Sequence, residues 1–158
     1  MSGRLKELII TAGGENIAPI PIEKNIKNEL SDIVSYAIVI GDKRKHLSCL
    51  ITLKCKIDPN GVPEDILEDE AKKWCQNIAN DNINTVQDAR NNVEILEAIK
   101  RGIDKANEKA TANPHRVQKF AILPQDLSIL GGELGPTLKI KRHSITDKYA
   151  NTIDELYN

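Results

Sequence analysis

Aromatic residues are scarce in this chain, and long apolar runs are missing from it. One Trp, one Phe and three Tyr make an aromatic content of 3% in 158 residues. Proteins that bind single-stranded nucleic acid stack bases on aromatic side chains, so this composition argues against that function. No run approaches the roughly 20 apolar residues of a transmembrane helix, and the N-terminus lacks the form of a signal peptide. Because aromatic residues are so few, the core of the fold must be built from aliphatic side chains.

An excess of charge of either sign is also missing. The chain has 22 basic and 23 acidic side chains, which leaves a formal net charge of −1. No overall field therefore draws the chain to nucleic acid or to a membrane surface. The three cysteines are odd in number and lack CxxC spacing, and the histidines do not complete a metal set. We expect reduced packing cysteines and no metal site; the residues concerned are Cys49, Cys55, Cys75, His46, His115 and His143.

The length suits one domain. Met1 and Ser2, directly before Gly3, are typical of a start added to a fragment of a longer protein. We therefore expect residues 3–158 to be one domain, with a helical insert at about residues 62–112.

Alternating and continuous apolar segments predict an α+β fold, with a small three-stranded sheet and an N-terminal hairpin flanked by helices. Leu5–Ile10 predicts a strand that returns through a Gly13-Gly14 turn. The segments Ser35–Ile40, His46–Leu53 and Val117–Leu123 predict the three strands of the sheet, the first two joined as a hairpin.

Helical spacing of apolar residues predicts the remaining elements. A first helix is predicted to open at Pro21, because proline is favoured at the first helical position. A second is predicted with Pro63 near its start. A third runs from Val93, with Asn91 or Asn92 as its N-cap. A closing helix is predicted over Ile145–Leu156.

Two glycine-bracketed segments stand out near the ends of the chain. One is LKELIITAGGENI at residues 5–17, and the other is GELGPTLKIKR at residues 132–142. Each combines cations with backbone that can lie close to a phosphate or a thin substrate arm. In this order, with a small α/β region between them, they resemble the C-terminal domain of the adenylate-forming enzymes. The amino-acid sequences of these two segments narrow the resemblance to the bubblegum-type long-chain acyl-CoA synthetases.

The resemblance implies a role for Lys139, which falls at the position of the family's catalytic lysine. There it would bridge the acyl carboxylate, the α-phosphate and the ribose region while the acyl-adenylate forms. A lysine suits that task, because it is a point charge on a long flexible stem. Arg4 falls at the family's Gly-Arg position, so the resemblance implies that Arg4 and Lys139 both bind nucleotide, and Lys6 falls at the hinge position.

The resemblance also implies that Gly13, Gly14, Glu15 and Asn16 form the loop that lines the pantetheine tunnel. A thin arm that passes close to backbone requires residues without side chains. Taken without the rest of the motif, a Gly-Gly pair also suits an ordinary hairpin turn.

The implied protein is an ATP-dependent long-chain fatty-acid–CoA ligase. Its substrates would be a fatty acid, ATP and coenzyme A, with ATP and Mg²⁺ bound mainly by an N-terminal adenylation domain. The isolated chain is then expected to be inactive, with no nucleic-acid partner and no transmembrane segment. We expect a cytoplasmic location, with peripheral attachment to the endoplasmic reticulum or other membranes as an alternative for the full-length protein.

Two alternatives stay open at this point. One is another adenylate-forming ligase with a different acyl acceptor, and the other is a non-catalytic interaction module. The basic residues Lys141 and Arg142 and the turn at residues 43–45 suit either a solvated surface or a contact with coenzyme A phosphates. Acyl chain length and oligomeric state do not follow from the sequence.

Overall fold

The structure is a computed structural model, and it describes residues 8–79, 82–110 and 115–157. Strands and helices alternate irregularly along the chain, which confirms the predicted α+β class. In chain order the elements are β1 (Ile9–Ile10), β2 (Asn16–Ile17), α1 (Pro19–Glu29), β3 (Val34–Ile40), β4 (Leu47–Leu53), β5 (Cys55–Ile57), β6 (Pro63–Leu67), α2 (Asp69–Ala79), α3 (Val86–Arg90), α4 (Val93–Asn107), β7 (Val117–Ile122), α5 (Arg142–Lys148) and α6 (Ala150–Leu156).

The three-stranded sheet is built around β4. This strand pairs antiparallel with β3 and parallel with β7, so the strand order is β3-β4-β7. All seven residues of β4 are buried, because both faces of the sheet are covered. A strand buried on both faces is expected to be mostly apolar rather than alternating, and the sequence LSCLITL follows that expectation except at Ser48 and Thr52.

The two faces of the sheet enter two separate apolar clusters. Leu47, Cys49 and Ile51 of β4 belong to the larger cluster, which also contains residues of α1, α2, α3 and α4. Leu50 belongs to a smaller cluster with Ile145 of α5 and residues of α6 and the loop before α5. The alternation follows from the two-residue period of a strand, which sends successive side chains to opposite faces. The three cysteines are free and buried, which confirms their prediction as packing residues.

The sequence had suggested that the first helix begins at Pro21, but in the structure it begins at Pro19. Ala18 is its N-cap, with extended backbone, and the helix runs to Glu29. The first amide groups of a helix have no partner within it, so a second proline is tolerated anywhere in the first turn. The apolar period alone could not decide which of the two prolines comes first.

The prediction that a helix starts near Pro63 is wrong, because residues Pro63–Leu67 form strand β6. The Asp58 carboxylate accepts hydrogen bonds from the amides of Asn60 and Val62, at 2.8 and 2.9 Å. This reverses the chain, so that β6 pairs antiparallel with β5. An apolar residue at position 67 fits the buried face of a helix as well as that of a strand. Helical spacing therefore could not separate the two possibilities. The helix α2 begins two residues later, at Asp69.

The predicted closing helix is two helices, which meet at Tyr149. The backbone of Tyr149 departs from helical values, with φ −109° and ψ 27°. Its hydroxyl donates a hydrogen bond to Glu133 Oε2 at 2.8 Å, and this ties the junction to the loop before α5. The predicted N-cap at Asn92 is confirmed, since its side chain accepts from the amide of Ile95 at 3.0 Å.

Asn107 joins the end of α4 to the start of β7. Its Nδ2 donates to the Val117 carbonyl and its Oδ1 accepts from the Val117 amide, both at 2.9 Å. We expect Asn107→Ala to lower the free energy of unfolding by about 2 kcal/mol, because two buried backbone groups lose their partners. Asn107→Asp keeps an acceptor for the amide but sets a buried carboxylate against the Val117 carbonyl, so it should destabilise at least as much. Urea unfolding of the 158-residue chain measures both; a change below about 0.5 kcal/mol for Asn107→Ala would contradict this.

Candidate functional site

The predicted site residues Arg4 and Lys6 lie outside the residues that the structure describes. Their proposed roles in nucleotide binding and at the hinge stay predictions. The loop at residues 13–16 and Lys139 are described, and both lie at the tips of hairpins.

The Gly13-Gly14 segment closes the hairpin of β1 and β2. The Thr11 amide donates to the Glu15 carbonyl at 3.0 Å, and the Gly14 amide donates to the Thr11 carbonyl at 2.9 Å. Gly14 has a φ of +85°, a left-handed conformation that glycine adopts without steric cost. Gly13, Gly14, Glu15 and Asn16 are all exposed. The sequence therefore predicted both the hairpin and its exposed glycine tip.

Lys139 follows a hairpin tip of the same design. The Gly135 amide donates to the Lys139 carbonyl and the Leu138 amide donates to the Gly135 carbonyl, both at 2.8 Å. An antiparallel bridge between Leu134 and Ile140 closes the base. The two candidate loops thus share one hydrogen-bond pattern, although their sequences differ.

Leu138 occupies the position that Gly14 holds in the other hairpin, and its φ is +65°. Left-handed backbone costs a residue with a Cβ atom about 1–2 kcal/mol, so bulky residues rarely adopt it. The side chain of Leu138 is 60% exposed and gains little burial in return. The strained residue lies immediately before Lys139, and strain of this kind concentrates at functional sites.

The first arm of the Lys139 hairpin is held by Glu133, whose side chain is only 3% exposed. Its carboxylate accepts from the Ser128 amide at 3.1 Å and from the Tyr149 hydroxyl at 2.8 Å, and it forms an ion pair with Lys148 at 3.0 Å. Burial, together with the hydrogen bond to this carboxylate, raises the pKa of Tyr149 well above its usual value. Tyr149 therefore stays a hydrogen-bond donor across the physiological range.

The second arm is held by Arg142, for which the sequence left open a solvated surface or a contact with coenzyme A phosphates. The solvated surface is wrong: the Arg142 side chain is only 19% exposed, and it pairs with a buried carboxylate, that of Glu23 in α1. The missed signal lies in α1, where Glu23 falls on the apolar stripe with Pro19 and Ile26. A carboxylate on the buried face of a helix indicates a paired charge.

The glycine loop rests on the turn between β3 and β4. The Ala12 amide donates to the Arg44 carbonyl at 2.9 Å. The Arg44 guanidinium in turn pairs with Asp154 of α6 at 2.6 Å and lies 4.9 Å from the ring centre of Tyr157. The Tyr157 hydroxyl donates to the His46 carbonyl at 2.7 Å. The end of the chain therefore braces the turn that holds the glycine loop.

Lys139 and Gly13 line different grooves. Lys139 contributes to a groove of about 510 Å³ against α1, with Lys24, Lys27, Ile20 and Leu138 among its walls. Gly13 contributes to a groove of about 310 Å³, whose other lining residues are Thr11, Glu15, Lys45, His46, Arg116 and Gln118. Among the residues that the structure describes, the two grooves share none. The fold therefore does not bring the two predicted functional segments to one place.

The described part of the chain contains neither a cluster of metal ligands nor a helix suited to cross a membrane. Across residues 8–79, 82–110 and 115–157, no group of three or more His, Cys, Asp or Glu side chains is placed to hold a metal ion. Within the same ranges, no helix combines the length and the apolar character that crossing a membrane requires.

The chain is similar to a known family of domains and to a solved adenylation domain. Residues 6–82 match the family described as AMP-binding enzyme C-terminal domain. This match takes in the glycine loop, α1, β3 and β4, and it ends before the Lys139 hairpin. The structure also superimposes, with a TM-score of 0.68 and 17% identity, on the adenylation domain of a carboxylate reductase from Mycobacterium chelonae, covering 98% of this chain and 20% of that one. At that identity the likeness shows the fold alone.

The chain is similar over nearly its whole length to long-chain-fatty-acid–CoA ligases. It is 48% identical over 160 residues to the ligase ACSBG1 of Mus musculus and 46% identical over 160 residues to the ligase ACSBG2 of Xenopus laevis. Each match covers 99% of this chain, but only 22% and 21% of the respective relatives. The chain therefore spans about a fifth of the length of these ligases.

The two glycines of the first loop should respond oppositely to alanine. Gly14 has a positive φ, so Gly14→Ala should lower the free energy of unfolding by about 1 kcal/mol. Gly13 has no positive φ, and an added Cβ would meet Thr11 Oγ1 only at 3.9 Å. Gly13→Ala should therefore be neutral or stabilising by up to about 1 kcal/mol, because it restricts the unfolded chain. Chemical denaturation of both variants tests this; equal losses would contradict the left-handed turn.

Proposed function

We propose that this chain is the mobile C-terminal domain of an ATP-dependent long-chain fatty-acid–CoA ligase. One observation carries the proposal: two exposed hairpin tips of the same design lie on separate grooves of one small domain. An enzyme with two half-reactions can use such a domain twice, by presenting first one tip and then the other to a site on a partner domain. The named activity of the relatives, long-chain-fatty-acid–CoA ligation, supplies the chemistry.

In the first half-reaction, a fatty-acid carboxylate oxygen attacks the α-phosphorus of ATP and pyrophosphate leaves. Two anions must approach each other, so a cation at the reacting centre lowers the barrier. Lys139 is exposed at the end of its hairpin, and its backbone is held by the hydrogen bond from Gly135. Its ammonium group would bridge the carboxylate and the α-phosphate, and Arg4 would contact the ribose and phosphate side of the nucleotide.

In the second half-reaction, the thiol of coenzyme A attacks the acyl carbonyl and AMP leaves. The residues Gly13, Gly14, Glu15 and Asn16 would then line the path of the pantetheine arm. The exposed tip offers bare backbone there, because neither glycine carries a side chain and a Cβ at Gly14 would meet nothing within 4 Å. Lys6 would lie at the hinge about which the domain turns between the two poses.

The substrates and partners of the whole protein belong to this proposal. They are a long-chain fatty acid, ATP, coenzyme A and an N-terminal adenylation domain. ATP and Mg²⁺ would be bound mainly by the N-terminal domain. The isolated chain would be inactive, and the full-length enzyme would work in the cytoplasm or at the surface of a membrane. A carrier-protein thiol as acceptor is the alternative, and thioester assays with each acceptor separate the two.

Lys139→Ala in the full-length protein that carries this chain should cripple acyl-adenylate formation by about 10²–10³-fold, because one charge-stabilising donor is lost. Thioester formation from supplied acyl-adenylate should be spared, because Lys139 would then face away from the site. Pyrophosphate exchange and single-turnover transfer measure the two steps. Lys73→Ala, which removes an exposed charge from α2, is the matched control. Equal losses in both half-reactions would refute the assignment of Lys139.

Gly13→Leu should have the converse effect. The backbone at Gly13 accepts a side chain, and the nearest atom to an added Cβ is 3.9 Å away, so the fold should persist. A leucine side chain would nevertheless narrow the path of the pantetheine arm and slow transfer to coenzyme A by about 10-fold or more, while adenylate still forms. If pyrophosphate exchange fell as far as thioester formation, Gly13 would be a structural turn residue and nothing more.

A further inference from the structure

A buried ion pair connects the Lys139 hairpin to the body of the domain. Arg142, the first residue of α5, lies three positions after Lys139 in the chain. Its Nη1 and Nη2 donate to Glu23 Oε2 and Oε1, at 2.6 and 3.1 Å. The side chains are 19% and 9% exposed. This is the two-pronged geometry in which a guanidinium fixes both the distance and the direction of a carboxylate.

The same carboxylate also binds the edge of the sheet. The Val39 amide of β3 donates to Glu23 Oε2 at 2.8 Å, and Arg142 Nη1 approaches the Val39 carbonyl at 3.5 Å. One cluster of three residues therefore joins α1, β3 and the second arm of the hairpin. The first arm is tied differently, because Glu133 bonds to Ser128 in its own loop and to Lys148 and Tyr149 at the end of α5.

Stability alone is a poor explanation for this pair. Two charges lose their hydration when they are buried, and replacing such a pair by apolar side chains of similar size is often neutral or stabilising. A guanidinium fork does provide something that an apolar contact lacks, which is a single orientation of the chain that carries it. The chain that it orients here is the short segment that leads to Lys139.

We propose that Glu23 and Arg142 are positioning residues that hold the Lys139 ammonium group at the distance and direction needed for acyl-adenylate formation. The inference rests on the proposed function of Lys139 and adds to it the pair through which the fold controls that lysine. Neither residue touches substrate; both act through the hairpin. Displacement of a catalytic group by about 1 Å can lower a rate by about 100-fold.

The test uses Arg142→Lys and Glu23→Gln in the full-length protein. Arg142→Lys keeps the charge but loses the fork, and Glu23→Gln keeps the shape but loses the charge. Each should lower kcat for acyl-adenylate formation by about 10–100-fold, while the KM for ATP and the transfer from supplied acyl-adenylate to coenzyme A change less than about twofold. Arg101→Lys, on the exposed surface of α4, makes the same chemical change elsewhere and should alter neither step.

A double-mutant cycle with Lys139→Ala decides whether the pair acts through Lys139. In that background, Arg142→Lys should lower adenylate formation no further, because there is no ammonium group left to position. If the losses from Arg142→Lys and Lys139→Ala multiplied in the double variant, the inference would be overturned. Equal losses in both half-reactions together with a lower melting temperature would also overturn it. If Lys139→Ala itself left adenylate formation intact, the proposed function would fail and this inference with it. If Lys139→Ala impaired adenylate formation but Arg142→Lys and Glu23→Gln did not, the inference would fail and the proposed function would stand.

Discussion

The pairing of β4 with strands on both sides is the constraint on which the rest of the molecule depends. Its seven buried residues require cover on both faces, and the helices provide it. Both candidate loops are attached to this sheet: the glycine loop to the turn between β3 and β4, and the Lys139 hairpin to the outer edge of β3 at Val39. The sheet therefore sets where each loop lies before any substrate is present.

The aliphatic pattern was sufficient to predict the class of fold and the three central strands to within a residue or two at each end. Strand β4 was easy to predict, because a short, mostly apolar segment that follows a polar turn has few alternatives. Residues 63–67 were not, because an apolar residue such as Leu67 fits the buried face of a helix as well as that of a strand. That choice depended on the Asp58 side chain, which reverses the chain locally. Periodicity contains no information about such a hydrogen bond.

The candidate site was predictable in its motifs and not in its supports. Lys139 and the two glycines are recognisable as sequence, because their chemistry requires particular residue types. Glu23 and Arg142 are separated by more than a hundred positions, and the apolar stripe of α1 indicates that Glu23 is paired without indicating its partner. Their partnership exists only after α1 and the hairpin have packed on β3. Long-range pairs of this kind follow from tertiary structure, so a single sequence does not reveal them.

The separation of the two grooves, which have no described residue in common, has a consequence for the order of events. If each loop serves one half-reaction, a coenzyme A molecule held along the glycine loop keeps the lysine hairpin away from the nucleotide. The enzyme could then not begin a new cycle until the thioester product had left. Unreacted coenzyme A that bound too early would act as an inhibitor of the first step. Sequential timing would then be a property of the shape of this domain and would need no separate regulator.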